Sequence, residues 1–294
     1  MSANTKKLIR LMMSTYRNSP LHNAFVGAIL AKVLALFTIF RKKQITVDIE
    51  GVIFNLDLRE VIDSSLYYSG TFEPKIENII ESVLKPGMNV IDIGANIGYH
   101  TFRMAKLVQP NGRVLAVEPT SYAYTKLQHN AALNSQFNNI TYAKVGLAKE
   151  DLGEQTIAFQ SSYRLTGYHE IQIEQVRLMK LDTLVQEQKL ERVDFIKLDV
   201  DGFEGQVLLG AVETFQKFTP GLVIEITPSE MIKNGDDPVK SIEFLKTLNY
   251  AFFDEDYQKI HDIEQKISQL PAGFSMMVFA LPATDSKKRQ VIPS

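Results

Sequence analysis

Apolar and polar positions along the chain alternate between two periods, and their order predicts the architecture. Short apolar runs at Val90–Ile93, Val114–Val117, Ile140–Val145, Phe195–Val200 and Leu222–Ile226 read as strands covered on both faces. Between them, helical patterns follow Tyr99 and Tyr122 and recur around Phe203–Leu209 and Val239–Leu248. Strands alternating with helices predict a parallel sheet joined by right-handed crossovers. Ahead of this core, Ile45–Leu58 alternates about a Glu50-Gly51 turn and reads as a hairpin lid. Ile76, Ile79, Ile80, Val83 and Leu84 mark one helical face, which Pro86-Gly87 terminates. Two late strands, Ala251–Phe253 and Ser275–Leu281, are separated by a segment holding Pro271 and Gly273, which predicts one antiparallel strand in the sheet.

The run Asn89–His100 carries the densest signal. Its strand leads into Gly94-Ala95-Asn96-Ile97-Gly98 and then a helix, the arrangement of a ligand-cradling turn. The spacing is Gly-x-x-x-Gly, and Asn96 stands near the place of the glycine that admits a pyrophosphate in a dinucleotide fingerprint. One helix later, Arg113–Val117 ends in Glu118-Pro119, a carboxylate placed to accept two ribose hydroxyls. The pair predicts an adenosine-bearing ligand without a pyrophosphate, S-adenosylmethionine (SAM) rather than NAD. The alternative for Glu118 is a cap on the helix beginning near Thr120.

Composition narrows the setting. The 294 residues, 45% of them hydrophobic, suffice for one sizeable α/β domain with an appendage. A net charge of -2 gives no basic field, so no nucleic-acid partner is expected, and the lack of cysteine removes disulfides, thiolate metal sites and cysteine nucleophiles. A cytoplasmic setting follows as the expectation. The exception is Ala24–Phe40, almost wholly apolar apart from Gly27, Lys32 and Thr38, and flanked by basic clusters ending in Arg41-Lys42-Lys43. About ten apolar side chains contribute roughly -3 to -6 kcal/mol against roughly +3 for Lys32, which makes spanning marginal. The segment therefore reads as a helix in an anionic membrane surface, a peripheral contact at the inner membrane, with packing on the body or a second subunit as the equal alternative. The divisions are 1–44 as this apolar and basic segment, 45–284 as the catalytic domain with a lid at 45–73, and 285–294 as a polar tail.

Chemistry concentrates in two further places. The stretch 153–190 is longer than a plain crossover and contains Ser161-Ser162-Tyr163-Arg164 and Gly167-Tyr168-His169; beyond the carboxyl ends of the strands, such an insertion is placed to contact an acceptor such as a sugar or polyol. An ordinary surface hairpin is the alternative. The run Asp194–Glu204 puts Asp199 at the carboxyl end of the fourth strand, beside the glycine turn. Methyl transfer to oxygen needs alignment and removal of a proton, so Asp199 is the first candidate for base or orienting group, with Lys197, Glu225 and His169 behind it. Lys197 reads equally as half of a buried ion pair, and Glu204 as a first-turn helix residue. Asp199, Asp201 and Glu225 would also supply oxygen ligands for Mg²⁺ or Mn²⁺.

With these pieces assembled, the chain resembles the FkbM-type methyltransferases. The matching residues are Gly70-Thr71-Phe72-Glu73-Pro74, Val90–Gly98, Ala116–Pro119, Leu181-Asp182-Thr183-Leu184 and Ile196–Glu204, within a resemblance spanning Ile45 to Leu281. It implies a class I, Rossmann-like SAM-dependent methyltransferase fold, with a seven-stranded, mostly parallel sheet and one antiparallel strand, and O-methylation of a hydroxyl on a polysaccharide, lipopolysaccharide or glycolipid. It also implies that Asp92, Gly94, Ala95, Asn96 and Gly98 cradle the amino-acid part of SAM, that Glu118 with Pro119 holds the ribose, and that Glu73 reaches the cofactor. Gly146 and Leu147 would border the adenine. The chain departs from the pattern by having Gly146-Leu147-Ala148 where many methyltransferases aim a carboxylate at the adenine amine, and Asp201 where glutamate is the commoner residue. Rival readings are methylation of a small natural product, a dehydrogenase, and a SAM-binding scaffold without catalysis.

Overall fold

The computed structural model describes residues 44–160 and 171–283. The apolar segment 24–40, the insertion tip with His169 and the tail 285–294 lie outside the described residues. Among those described, no helix is long and apolar enough to cross a membrane. The chain divides into two compact units, one comprising Met1–Glu73, Thr125–Ser135 and Ala158–Ile173, the other Pro74–Tyr124, Gln136–Ile157 and Glu174–Ser294.

In the first unit, strands β1 (Gln44–Ile49) and β2 (Val52–Asp57) form the expected antiparallel hairpin, with Ile49 opposite Val52. Glu50 and Gly51 both take positive φ, 55° and 86°, and the Asp48 carboxylate accepts the Gly51 N–H at 2.7 Å. Such a turn matches the strands' twist. The edge of β2 away from β1 is closed by asparagines. Asn134 accepts the Ile53 N–H at 2.8 Å and donates to its carbonyl at 2.6 Å, while Asn130 accepts the Asn55 N–H at 2.9 Å. These amides take the place of a ladder neighbour and leave no open template there. The 45–73 stretch also contains helix α1 (Val61–Ser69), which the lid expectation did not include. Its buried face is largely polar: Asp63 accepts from the Asp57 N–H and from Lys126 at 2.6 Å.

The second unit holds helix α2 (Pro74–Val83) and an eight-stranded sheet. In chain order its strands are β3 (Asn89–Ile93), β4 (Arg113–Val117), β5 (Ile140–Ala143), β9 (Phe195–Leu198), β10 (Gly221–Ile226), β11 (Tyr250–Phe253), β12 (Lys259–Ile260) and β13 (Met276–Pro282). They lie in the order β12-β11-β13-β10-β9-β3-β4-β5. β3, β4, β5, β9 and β10 run parallel, and β13 lies antiparallel to β10 on one side and β11 on the other. This is the expected seven-stranded arrangement with one addition, the two-residue edge strand β12, too short to leave a periodic signature. β9 ends at Leu198, two residues before the expected Val200, so Asp199 and Val200 belong to the turn beyond it. Ile91, Ile93, Ile196, Leu198, Leu222 and Ile224 are almost wholly buried, as strands covered on both faces require.

Helices α3 (Tyr99–Val108) and α4 (Ser121–Leu133) follow β3 and β4. The insertion forms β7 (Gly153–Gln160) and β8 (Ile171–Met179), which join β6 (Gly146–Leu147) in a separate three-stranded sheet ordered β6-β8-β7. Helix α5 (Leu181–Glu187) leads back to the core, and Asp182 on it accepts the Glu213 and Thr214 N–H groups and the Thr214 hydroxyl at 2.7–3.1 Å. That aspartate anchors the start of α7 (Val212–Phe218), which follows α6 (Glu204–Leu209).

Candidate active site

The site lies where the parallel strands β4, β3, β9 and β10 reach their carboxyl ends. Register places Asp92 of β3 directly opposite Lys197 of β9, and Ile93 opposite Leu198. The strands end in sharp turns. Gly94 (φ 80°), Asn96 (φ 49°) and Gly98 (φ 94°) make the first left-handed, and Asp201 (φ 52°) and Gly202 (φ 92°) make the second. A side chain on Gly94 would collide with the backbone carbonyl of Asp199. The first glycine is thus required by contact between the two turns as well as by its own φ. Gly202 likewise has no room for a side chain, since Glu230 packs 2.7 Å from the position a Cβ would take.

Asp92 is buried, and its Oδ2 accepts the Thr101 hydroxyl at 2.5 Å. Its Oδ1 is buried with no hydrogen-bond donor among the described residues, and the Lys197 ammonium stands 3.9 Å away. Lys197, itself 2% exposed, donates to Asp199 Oδ2 at 2.9 Å. One ammonium therefore lies between two carboxylates, one on β3 and one in the turn after β9. Asp199 keeps 24% of its side chain open to solvent, and Glu225 of β10 acts on it from beside it. Burial alone would raise the Asp199 carboxyl; the charge and hydrogen bond of Lys197, then Glu225 and the charge of His100, outweigh it and hold Asp199 below its ordinary range.

Glu118, at the end of β4, is buried and already engaged. Its Oε2 accepts the Asn96 N–H at 3.0 Å, and its Oε1 accepts the Thr120 N–H and hydroxyl at 2.9 and 2.7 Å. The N–H of Ala123 in α4 is accepted by the Thr120 hydroxyl at 3.3 Å, so Glu118 steadies the capping threonine rather than capping the helix itself. Burial raises the Glu118 carboxyl, and the charge of Asp201 adds in the same direction. Gly146 is paired with Leu178 of β8, and a Cβ on it would lie 2.5 Å from Leu178 and 3.7 Å from Pro119. Leu147 beside it is half-buried. Glu73, with φ 43°, belongs to the first unit.

Two residues in this region were not among the candidate site residues read from the sequence. His100, on the first turn of α3, is buried and helps electrostatically to lower the Asp199 carboxyl. Glu204 is 1% exposed, and its Oε1 accepts the N–H groups of Val200 and Gly202 at 2.9 and 3.2 Å, latching the turn that carries Asp199. Burial pushes its carboxyl up to about 7. The expectation of a Mg²⁺ or Mn²⁺ site at Asp199, Asp201 and Glu225 is corrected. Among the described residues no three acidic or histidine side chains converge to hold a metal, and the charge of Asp199 is met by an ammonium instead.

Residues 92–257 match the methyltransferase FkbM domain, more than half of the chain, and the chain belongs to that family of SAM-dependent methyltransferases. It is similar to Methyltransferase sdnD of Sordaria araneosa, 28% identical over 172 residues, covering 46% of this chain and 65% of that protein. Methyltransferase 1 of Beauveria bassiana (strain ARSEF 2860) is 26% identical over 166 residues, covering 48% and 65%. The match thus spans just under two thirds of the length of these relatives. Among solved structures, methyltransferase FkbM from Methylobacillus flagellatus KT is 16% identical with a TM-score of 0.45, covering 74% of this chain and 52% of that one. A SAM-dependent O-methyltransferase from Thermotoga maritima is 13% identical with a TM-score of 0.42, covering 85% and 82%.

SAM is the family's cofactor, and the residues present fit it. The buried Asp92 Oδ1, which receives no hydrogen bond among the described residues, suits the α-ammonium of its methionine part. Glu118 has four lone-pair sites of which three are used, so it retains an acceptor for a ribose hydroxyl.

Proposed function

We propose that the chain transfers a methyl group from SAM to a hydroxyl, and that Asp199 orients that hydroxyl and receives its proton. One observation carries this reading: a partly exposed carboxylate just beyond β9, fixed by Lys197 and held below its ordinary range, on a residue whose backbone carbonyl lies against the glycine turn. SAM supplies an electrophilic methyl on a sulfonium centre. A carboxylate held below its usual range is a weak base, so Asp199 aligns the hydroxyl first. It takes the proton late, when the oxygen has begun to bond to carbon and has become acidic. Lys197, buried between Asp92 and Asp199, positions rather than deprotonates. The acceptor in this reading is a sugar hydroxyl of a glycan or glycolipid, a choice supported by the aromatic and hydrogen-bonding residues of the 161–169 sequence.

The test is incubation of the full chain with methyl-labelled SAM and fractionated cell extract. Label should enter a glycan fraction; label only in a soluble metabolite would reject the glycan acceptor. Asp199→Asn should retain SAM binding and lose transfer by about 10²–10⁴-fold. Transfer at the wild-type rate in that variant would remove Asp199 from its role.

A further inference from the structure

The end of β5 and the residues after it, Lys144-Val145-Gly146-Leu147-Ala148, carry no carboxylate. A purine bordered by Gly146 and Leu147 would find no acidic acceptor for its exocyclic amine on that segment. The structure brings one from elsewhere. β8 packs directly on this segment: Gly146 pairs with Leu178, and a Cβ at Gly146 would lie 2.5 Å from Leu178 and 3.4 Å from Val176. Residues two apart on a strand share a face, so Glu174, Val176 and Leu178 all project to the same side of β8.

Glu174 is held in place there. Its Oε2 accepts the Ser121 N–H at 3.0 Å and the Ser121 hydroxyl, at the start of α4 and three residues beyond Glu118. Lys144 donates to the same hydroxyl at 2.6 Å. One oxygen is thereby fixed, and the half-buried carboxylate keeps Oε1 as a hydrogen-bond acceptor. It bonds Ser121 at the start of α4, and along its own strand it is two residues from Val176, which also flanks Gly146.

We infer that Glu174, on the insertion, is the carboxylate that recognises the 6-amino group of the cofactor's adenine. A two-donor amine facing a preoriented carboxylate is matched in geometry and charge. This assignment rests on the SAM reading above and extends it, because it makes the insertion part of the donor site as well as a neighbour of the acceptor. It also explains how the chain dispenses with an acidic residue after its third core strand.

The experiment compares the affinities of the full chain for S-adenosylhomocysteine and for its 6-deamino analogue, which has hydrogen in place of the amine, by calorimetry. The wild type should favour the amino form by about tenfold or more, the range of a hydrogen bond to a charged group. In Glu174→Ala that preference should fall to near unity. In Glu174→Gln, which can still accept from Ser121, it should shrink with the fold intact. An unchanged preference in Glu174→Ala, or equal weakening of both ligands, would make Glu174 a tether only and overturn the inference. Failure of the wild type to bind S-adenosylhomocysteine at all would instead defeat the SAM reading on which it stands.

Discussion

Glu204→Gln tests whether the turn behind Asp199 is held by a carboxyl that changes protonation near neutrality. The Glu204 Oε1 accepts from Val200 and Gly202, while its Oε2 is buried without a donor among the described residues. Burial is the main reason its carboxyl rises from 4.5 to about 7, and the nearby charge of Asp199 adds to it. Between those values the folded chain holds a proton that the unfolded chain has released. The stabilisation is therefore full below the unfolded value of 4.5 and is lost as pH rises through about 7. The interval corresponds to roughly 3 kcal/mol. Glutamine preserves the Oε1 acceptor and cannot ionise. Urea unfolding of both proteins from about pH 4 to about pH 8 should show the wild type losing roughly 3 kcal/mol relative to the variant, most of it between the two values. Other titrating groups cancel in that difference. A difference that stays flat with pH would refute the reasoning, since it would mean that Glu204 ionises alike in both states.

Three further outcomes follow from the same contacts. Lys197→Met leaves Asp92 and Asp199 without their shared counter-ion and should destabilise the fold by roughly 3–5 kcal/mol in urea unfolding; a loss below roughly 1 kcal/mol would show that the pair is solvated. Gly94→Ala forces a side chain onto the Asp199 carbonyl at φ 80°, and isothermal titration should find S-adenosylhomocysteine binding lost, whereas undiminished binding would deny the contact between the turns. Asp182→Ala removes three hydrogen bonds at the start of α7 and should cost roughly 1–3 kcal/mol by thermal unfolding, with cofactor affinity retained.

How much of this was legible in the chain depends on how local each signal is. The core strands were readable because burial on both faces writes a continuous apolar run, and Pro86-Gly87 and the Glu50-Gly51 turn are punctuation that local chemistry demands. Helix α1 was not, because its buried side carries Asp63, Ser64 and Ser65, satisfied by neighbouring backbone groups and, for Asp63, by Lys126, so no apolar periodicity marks it. Glu204 was hidden by ambiguity: an acidic residue at a helix start looks like a response to the helix dipole, and only the turn's three-dimensional course shows it bonding backward to Val200 and Gly202. The Asp92–Lys197 opposition needed strand register, which links residues over a hundred positions apart and cannot be read from either segment. Asp182 stood in a recognisable motif, yet its work is structural, a capping contact with a helix about thirty residues away.

The collision that any side chain on Gly94 would make with the Asp199 carbonyl ties two duties together. The loop that would receive the donor and the loop that presents the acceptor-side carboxylate share one van der Waals boundary, so neither can be remodelled alone. An engineer seeking a new acceptor would find this pair the worst place to begin, and the chain's own variation faces the same restriction. Tolerance for new substrates has to come from segments outside this pair of turns.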